Sequence, residues 1–512
     1  MPLLLPAERT VEPGRRMTRD KAQKIVLGAL VVALGALALR DFLRLGDALP
    51  WRTMDEFADF YCAGRALDAG ANPYAYEPLH RCEHQVNGGT GFRARVFHDD
   101  AVVAVPAPLP AYDLLPFAAL ARLPVTAARR LVLLGIVLAV AICIALLRAL
   151  GIPALLATAA LLLAAAYASV NTAQIIPFAL AAVIGCGCAL ASKRDAIAGV
   201  LAALSGIEPV VGVPTALACV CFVPRARLSL IVTGALLVAS AVIAVGPTTS
   251  YQYLALVLPA QSSAEANFPY QYGMTYLLTH LGLHSEAARL GGNCSYLVLV
   301  ALGLIAGRRA ATATGRRELL AFLPALSSVV AGPYVHAEEV CLAIPAALVL
   351  AWSNVGPLRV LLAAASCTLA VPWLLVWGEK QLLLASVLAC AAIVWSLRIR
   401  LLPAALTVLS LGALMYFFEV QPPHLPTPRL AGRHSYSPDD IVQVEWRDYA
   451  AARSTADPLW FAVKIPAWAS LWAVLIVGLS IRRRPNGATG PVAGKTVSST
   501  WPESPQTLSP DA

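Results

Sequence analysis

The chain reads as an all-α membrane protein, a polytopic bundle of about 12 to 14 helices with extracytoplasmic loops. Three observations predict this. Of its 512 residues 58% are hydrophobic and 13% charged, with mean hydropathy +0.67. Apolar runs long enough to cross a bilayer recur along the chain. Runs such as 131–147 and 401–418 are continuously apolar and rich in Ala and Leu, whereas a barrel strand would alternate.

The elements follow in order. Residues 1–24 carry Arg9, Arg15, Arg16, Arg19, Lys21 and Lys24 ahead of a first span near 25–45, which places the N-terminus in the cytoplasm. No small-residue cleavage site follows that run and many spans come after it, so it reads as a retained helix rather than a signal peptide. Residues 46–130 form a first extracytoplasmic loop, whose stretch 109–123 is short, proline-interrupted and interfacial. Spans follow near 131–148, 152–169 and 173–191, then a hairpin over 196–223 turning at Glu208-Pro209, then 228–246. An outside loop at 247–292 precedes spans near 295–307, 318–334, 339–353, 358–377, 381–396, 401–419 and 459–481. With this parity Lys193, Arg194, Arg225, Arg227, Arg308, Arg309, Arg316, Arg317, Arg359, Arg398, Arg400 and Arg482 to Arg484 all fall on the cytoplasmic side. Residues 420–458 form a second outer loop, proline-rich and then acidic-aromatic, able to fold over the membrane face. Residues 482–512 are rich in Pro, Ser, Thr and Gly and read as a disordered cytoplasmic tail. The domain 25–481 thus belongs to a multi-pass plasma-membrane protein.

The formal charge of +9 follows from this topology and does not point to nucleic acid. Most of the 11 cysteines lie in apolar runs, where cysteine acts as a small hydrophobe. Cys62 and Cys82 share one hydrophilic loop, and spacing leaves a disulfide and two free thiols equally open. His80, Cys82, Glu83 and His84 lack a fourth ligand at a sensible spacing, so no metal site is expected.

The same parity brings Asp55, Glu56, Asp59, Asn171, Gln174, Glu208, His336, Glu338 and Glu339 to the extracytoplasmic ends of helices. Helix ends are polar in any membrane protein, so the concentration of these groups on one face carries more weight than any member. Arg65, Arg81, Arg93 and Arg95 in the first loop supply cations able to compensate a phosphate. Phe268, Tyr270, Tyr272 and Tyr276 suit stacking on a sugar or a prenyl chain as well as ordinary interfacial anchoring.

The segment Asp59-Phe60-Tyr61-Cys62-Ala63-Gly64, followed by Gly70-Ala71-Asn72-Pro73-Tyr74, resembles the first-loop signature of glycosyltransferase family 87. That family is made of polyprenol-phosphate-sugar-dependent, mannosyltransferase-like membrane proteins of the C-class superfamily. Further similarities keep the family's order over residues 50–345: the proline-rich segment 106–116, the turn Asn171-Thr172-Ala173-Gln174, the hairpin 198–209 and the stretch Gly332-Pro333-Tyr334-Val335-His336-Ala337-Glu338. Two departures stand out. Relatives commonly carry Lys before Pro where this chain has Glu208, and the Gly-Gln-Asn turn is rearranged.

The resemblance implies inverting transfer of a hexose, mannose first among them, from a polyprenyl-phosphate sugar to a lipid or glycan acceptor outside the cytoplasm. The lipid-linked donor is a substrate, and no cofactor is implied. Asp59 would take the proton from the acceptor hydroxyl. His336, Tyr61, Asn171, Gln174, Glu208, Glu338 and Arg65 would bind the substrates. A phosphate departs without a strong acid, so a second catalytic carboxylate is not required, unlike glycoside hydrolysis. A transporter or flippase would instead show charges at helix midpoints and repeated halves, neither of which is seen. An inactive scaffold of the same fold is the other rival.

Overall fold

A computed structural model describes residues 57–86, 103–375, 380–424, 436–455 and 457–481. The first span, Asp55, Glu56, Arg93, Arg95 and both termini lie outside the described residues. What is described is helical, with no strand and one isolated antiparallel bridge, Ala75 to Ile441.

Among the described residues seven helices are long and apolar enough to cross a membrane: Val125–Ala149, Ala154–Thr172, Pro224–Glu265, Ser285–Thr314, Gly356–Leu375, Leu401–Val420 and Leu459–Ser480. Shorter apolar helices, among them Ile176–Ala191, Pro209–Phe222, Leu319–Ala331 and Lys380–Ser396, complete the bundle. Local sequence sets their ends. Pro110, Pro124 and Pro153, all with extended ψ, immediately precede helices, since the ring blocks an upstream helical residue but suits a helix start. Thr314 gives way to Gly315 at φ +74°, a left-handed stop that glycine adopts without strain.

Where the sequence predicts a span ending at 246 and a loop beyond, the chain instead continues helical to Glu265. Gly246 at φ +79° breaks the helix, and Pro247 then starts a new run inside the same element; proline is well suited to a first helical position. The helix Arg227–Gln252 buries none of its residues. Leu228, Ile231, Leu236 and Ile243 face outward, as expected of side chains whose solvent is lipid.

The bundle packs through small residues. A side chain at Gly303 would overlap Ser327, and one at Gly307 would meet the Leu319 carbonyl at 3.0 Å, so Ser285–Thr314 and Leu319–Ala331 approach backbone to backbone. Close contact of this kind drives helix association where no hydrophobic effect operates between apolar helices.

The stretch 109–123 forms a short helix, Ala111–Leu120, that buries one face. It docks on the helix Phe57–Asp68, where Gly64 lies against the Phe117 and Ala118 backbone. Cys62 and Cys82 are joined in a disulfide, which resolves the alternative left open by their spacing and removes Cys82 as a metal ligand.

Basic residues gather at one end of the bundle. Arg316 donates to the Leu150 carbonyl at 3.1 Å, Arg317 to Asp195 at 2.8 Å and Arg227 to the Val220 carbonyl at 2.7 Å. At the opposite end lies a polar cavity.

Candidate active site

A cavity of ≈ 150 Å³ opens at this second end, lined by side chains from eight stretches of chain. A single six-membered ring fits a space of that order. The helix Ala154–Thr172 ends at Ala173, which takes φ +63° and turns Asn171, Thr172 and Gln174 into the wall. Glu208 sits with an extended backbone between the turn Ser205–Ile207 and the helix Pro209–Phe222. Gln261 and Glu265 come from the end of the long kinked helix, and Trp446 from the helix Gln443–Ala452.

Tyr334, His336, Ala337, Glu338 and Glu339 line the cavity from the loop after Leu319–Ala331. Paired backbone holds that loop in place: Tyr272 N–H donates to the Val335 carbonyl at 2.6 Å and Met274 N–H to the Gly332 carbonyl at 3.1 Å. Gly273 lies between them, where a Cβ would sit 3.0 Å from the Pro333 carbonyl oxygen and from the Tyr334 Cα. The close approach therefore depends on a missing side chain.

The proline-rich strap 103–109 forms another wall, and four side chains clamp its backbone. Ala104 N–H donates to Glu445 at 2.9 Å, Val105 N–H to Glu83 at 3.0 Å, Tyr74 O–H to the Leu109 carbonyl at 2.9 Å and Tyr253 O–H to the Pro108 carbonyl at 3.1 Å. This gives the Asn72-Pro73-Tyr74 motif a physical role. Asn72 accepts from Tyr74 N–H at 3.0 Å, a local turn bond, and the buried Tyr74 ring then ties the strap down.

Acidic groups dominate the polar wall. Glu265 accepts from Trp446 Nε1 at 2.6 Å, Gln271 Nε2 at 2.8 Å and Gln261 Nε2 at 3.0 Å, and His336 Nε2 stands 3.8 Å from its other face. Glu339 accepts from the His336 N–H at 3.1 Å. Burial pushes Glu208 up to about 7, opposed by the nearby His336. Burial also raises Glu338, and raises Glu339 well above the usual carboxylate range with the Glu208 charge as the next cause. Charges taken from water in this way hold their protons. Among the described lining residues none is Lys or Arg.

Of the residues singled out from sequence, His336, Asn171, Gln174, Glu208 and Glu338 converge on this cavity. Asp59, Tyr61 and Arg65 are not among its lining residues. Asp59 is buried in the first turn of Phe57–Asp68, one position before the lining Phe60. The Tyr61 hydroxyl reaches the Ala121 and Leu123 carbonyls at 3.2 and 3.1 Å, so it secures the end of the interfacial helix. Arg65 is exposed in the last turn. Phe268 and Tyr270 reach the cavity, while Tyr272 and Tyr276 pack elsewhere. Sequence reasoning missed Gln261, Glu265 and Trp446. The acidic-aromatic character of 439–449 was the available signal for Trp446; Gln261 and Glu265 sit in a stretch read as loop.

Residues 110–345 match the family model of glycosyltransferase family 87. The matched span includes every lining residue from Asn171 to Glu339, and the resemblance read from the motifs holds over it. It ends short of Asp59 on the N-terminal side and of Trp446 on the C-terminal side. Comparison with curated proteins and with solved structures gave no match. The family match covers a little under half of the chain, and with the apolar helices it supports a membrane glycosyltransferase.

Proposed function

We propose that this glycosyltransferase moves a hexose, mannose first among those to test, from a polyprenyl-phosphate sugar to a hydroxyl of a lipid or glycan acceptor on the extracytoplasmic face of the plasma membrane. The observation that supports this reading is the single ring-sized cavity, polar on one wall and aromatic on another, built mainly from the family-matching segment. The acceptor oxygen attacks the anomeric carbon. The carbon–oxygen bond to phosphate breaks with its electron pair, and the sugar inverts. In this reading Asp59 takes the hydroxyl proton.

Glu338 and Glu339 suit an anionic donor because burial raises both and favours their protonated forms. Ionised carboxylates would repel a phosphate, whereas neutral carboxyl groups donate hydrogen bonds to it and to sugar hydroxyls. Phe268, Tyr270 and Trp446 offer apolar faces to the ring.

Glu208 carries a second reading of the base. It lines the cavity and titrates near 7, where a general base works best at neutral pH. One experiment separates the two. Purified protein is incubated with polyprenyl-phosphate mannose, then with other polyprenyl-phosphate hexoses, and a panel of lipid acceptors, beside Asp59→Asn and Glu208→Gln. The Asp59 reading expects a loss of roughly 10²- to 10⁴-fold in turnover for Asp59→Asn and a smaller one for Glu208→Gln. The reverse order transfers the role to Glu208, and no transfer from any polyprenyl-phosphate hexose overturns the donor class.

A further inference from the structure

The basic end of the bundle carries two adjoining concavities of ≈ 780 and ≈ 430 Å³ that share Phe222, Arg308 and Thr312. Ile305, Leu479 and Ile481 form apolar walls of the larger one, and Arg309 stands at its side. Among the described residues no acidic one lines either. We propose that this cleft binds the phosphate headgroup of an anionic membrane lipid, with Arg308 and Arg309 as its cations.

Depth is the first argument. The helix Ser285–Thr314 has 30 residues and so is about 45 Å long, against a hydrocarbon core of roughly 30 Å. Centred in the bilayer, it puts the backbone of Arg308 and Arg309 about 13 and 14 Å from the midplane, just inside the edge of the hydrocarbon core, from which their long side chains reach the headgroups. Ile305, one turn deeper, meets the first methylenes of an acyl chain.

Charge is the second. Arg316 and Arg317, on the same hairpin, are paired with Glu318 and Asp195. Among the described residues, Arg308 and Arg309 have no carboxylate partner. Arg309 donates to the Leu479 carbonyl at 3.4 Å. The Arg308 guanidinium lies 5.4 Å from the Phe222 ring centroid, so stacking orders it while leaving its N–H edge for an oxyanion. Two ordered guanidiniums over an apolar slot match a phosphodiester on a pair of chains. A basic pocket between helix ends is the usual form of such a site.

The test uses full-length protein purified in detergent, with native mass spectrometry reading bound phosphatidylglycerol against phosphatidylcholine. Wild-type protein retains phosphatidylglycerol in preference, and Arg308→Gln with Arg309→Gln lowers that retention about tenfold or more, on the order of fivefold per arginine. Arg400→Gln, at the same end but outside the cleft, leaves it unchanged. Equal loss with Arg400→Gln, or equal retention of phosphatidylcholine, overturns the proposal. Competition by glycerol 1-phosphate as strong as that by the lipid assigns the cleft to a free phosphate and also overturns it. Should the double variant not fold, Arg309→Gln alone carries the same comparison.

Discussion

His336 Nε2 stands 3.8 Å from Glu265 Oε2, and that one carboxylate also accepts from Trp446, Gln271 and Gln261. Glu265 thus joins the end of the long kinked helix, the loop after Leu319–Ala331 and the late helix Gln443–Ala452. Removing it strands three buried donors. Glu265→Ala is expected to lower stability by about 3 kcal/mol, with Glu265→Gln losing less because an acceptor oxygen remains. Thermal unfolding in detergent reads both, and a Glu265→Ala protein as stable as wild type would show that the junction carries no load.

Glu208 sets a pH dependence. Its folded value of about 7 lies above the ordinary 4.5, so the protonated form is favoured in the folded state. The resulting stability is fully present below about 4.5 and is lost as pH rises through about 7. Wild-type protein should lose unfolding temperature over that window relative to Glu208→Gln. Parallel curves for the two proteins would show that Glu208 titrates normally.

The disulfide between Cys62 and Cys82 closes a loop of sequence separation 20. Chain-entropy reasoning gives such a crosslink about 3 kcal/mol. Cys62→Ser with Cys82→Ser should lower the unfolding temperature, and reduction of the wild type should lower it equally. Wild-type stability in the double variant would mean that packing alone holds Phe57–Asp68 against Tyr76–Val86.

The sidedness of the bundle is directly measurable. In a background with Cys221 and Cys294 replaced by serine, since both are exposed thiols, Ala69→Cys should react with an impermeant maleimide added to intact cells. Thr312→Cys should react only after permeabilisation. The opposite pattern inverts the map, moving the cavity to the cytoplasmic face and the basic cleft outside.

Convergence of His336, Glu338, Glu208, Asn171 and Gln174 was legible because each lies at a span end. Span parity, set by hydropathy and the Arg and Lys pattern, puts alternate ends on one face. Glu265 escaped because a helix resumes after Pro247 where loop was expected. Tyr61 was assigned to the site through the first-loop resemblance, yet a helix turns Tyr61 about 100° from the lining Phe60, and docking on Ala111–Leu120 sends its hydroxyl toward Ala121 and Leu123.

The sequence alone determined that this is a helical membrane protein, where most of its spans run, which ends collect its basic groups, and which family its motifs resemble. These are local quantities: an apolar run of a given length has one stable state in lipid, and a motif is read within a few residues. The tertiary structure alone decided that Phe60 rather than Tyr61 faces the cavity, that Cys62 and Cys82 pair, and that Glu265 meets Trp446 and His336. Those depend on how helices rotate about their axes and on contacts between distant segments. The packing of small residues such as Gly303, Gly273 and Gly64 settles these, and hydropathy does not report it.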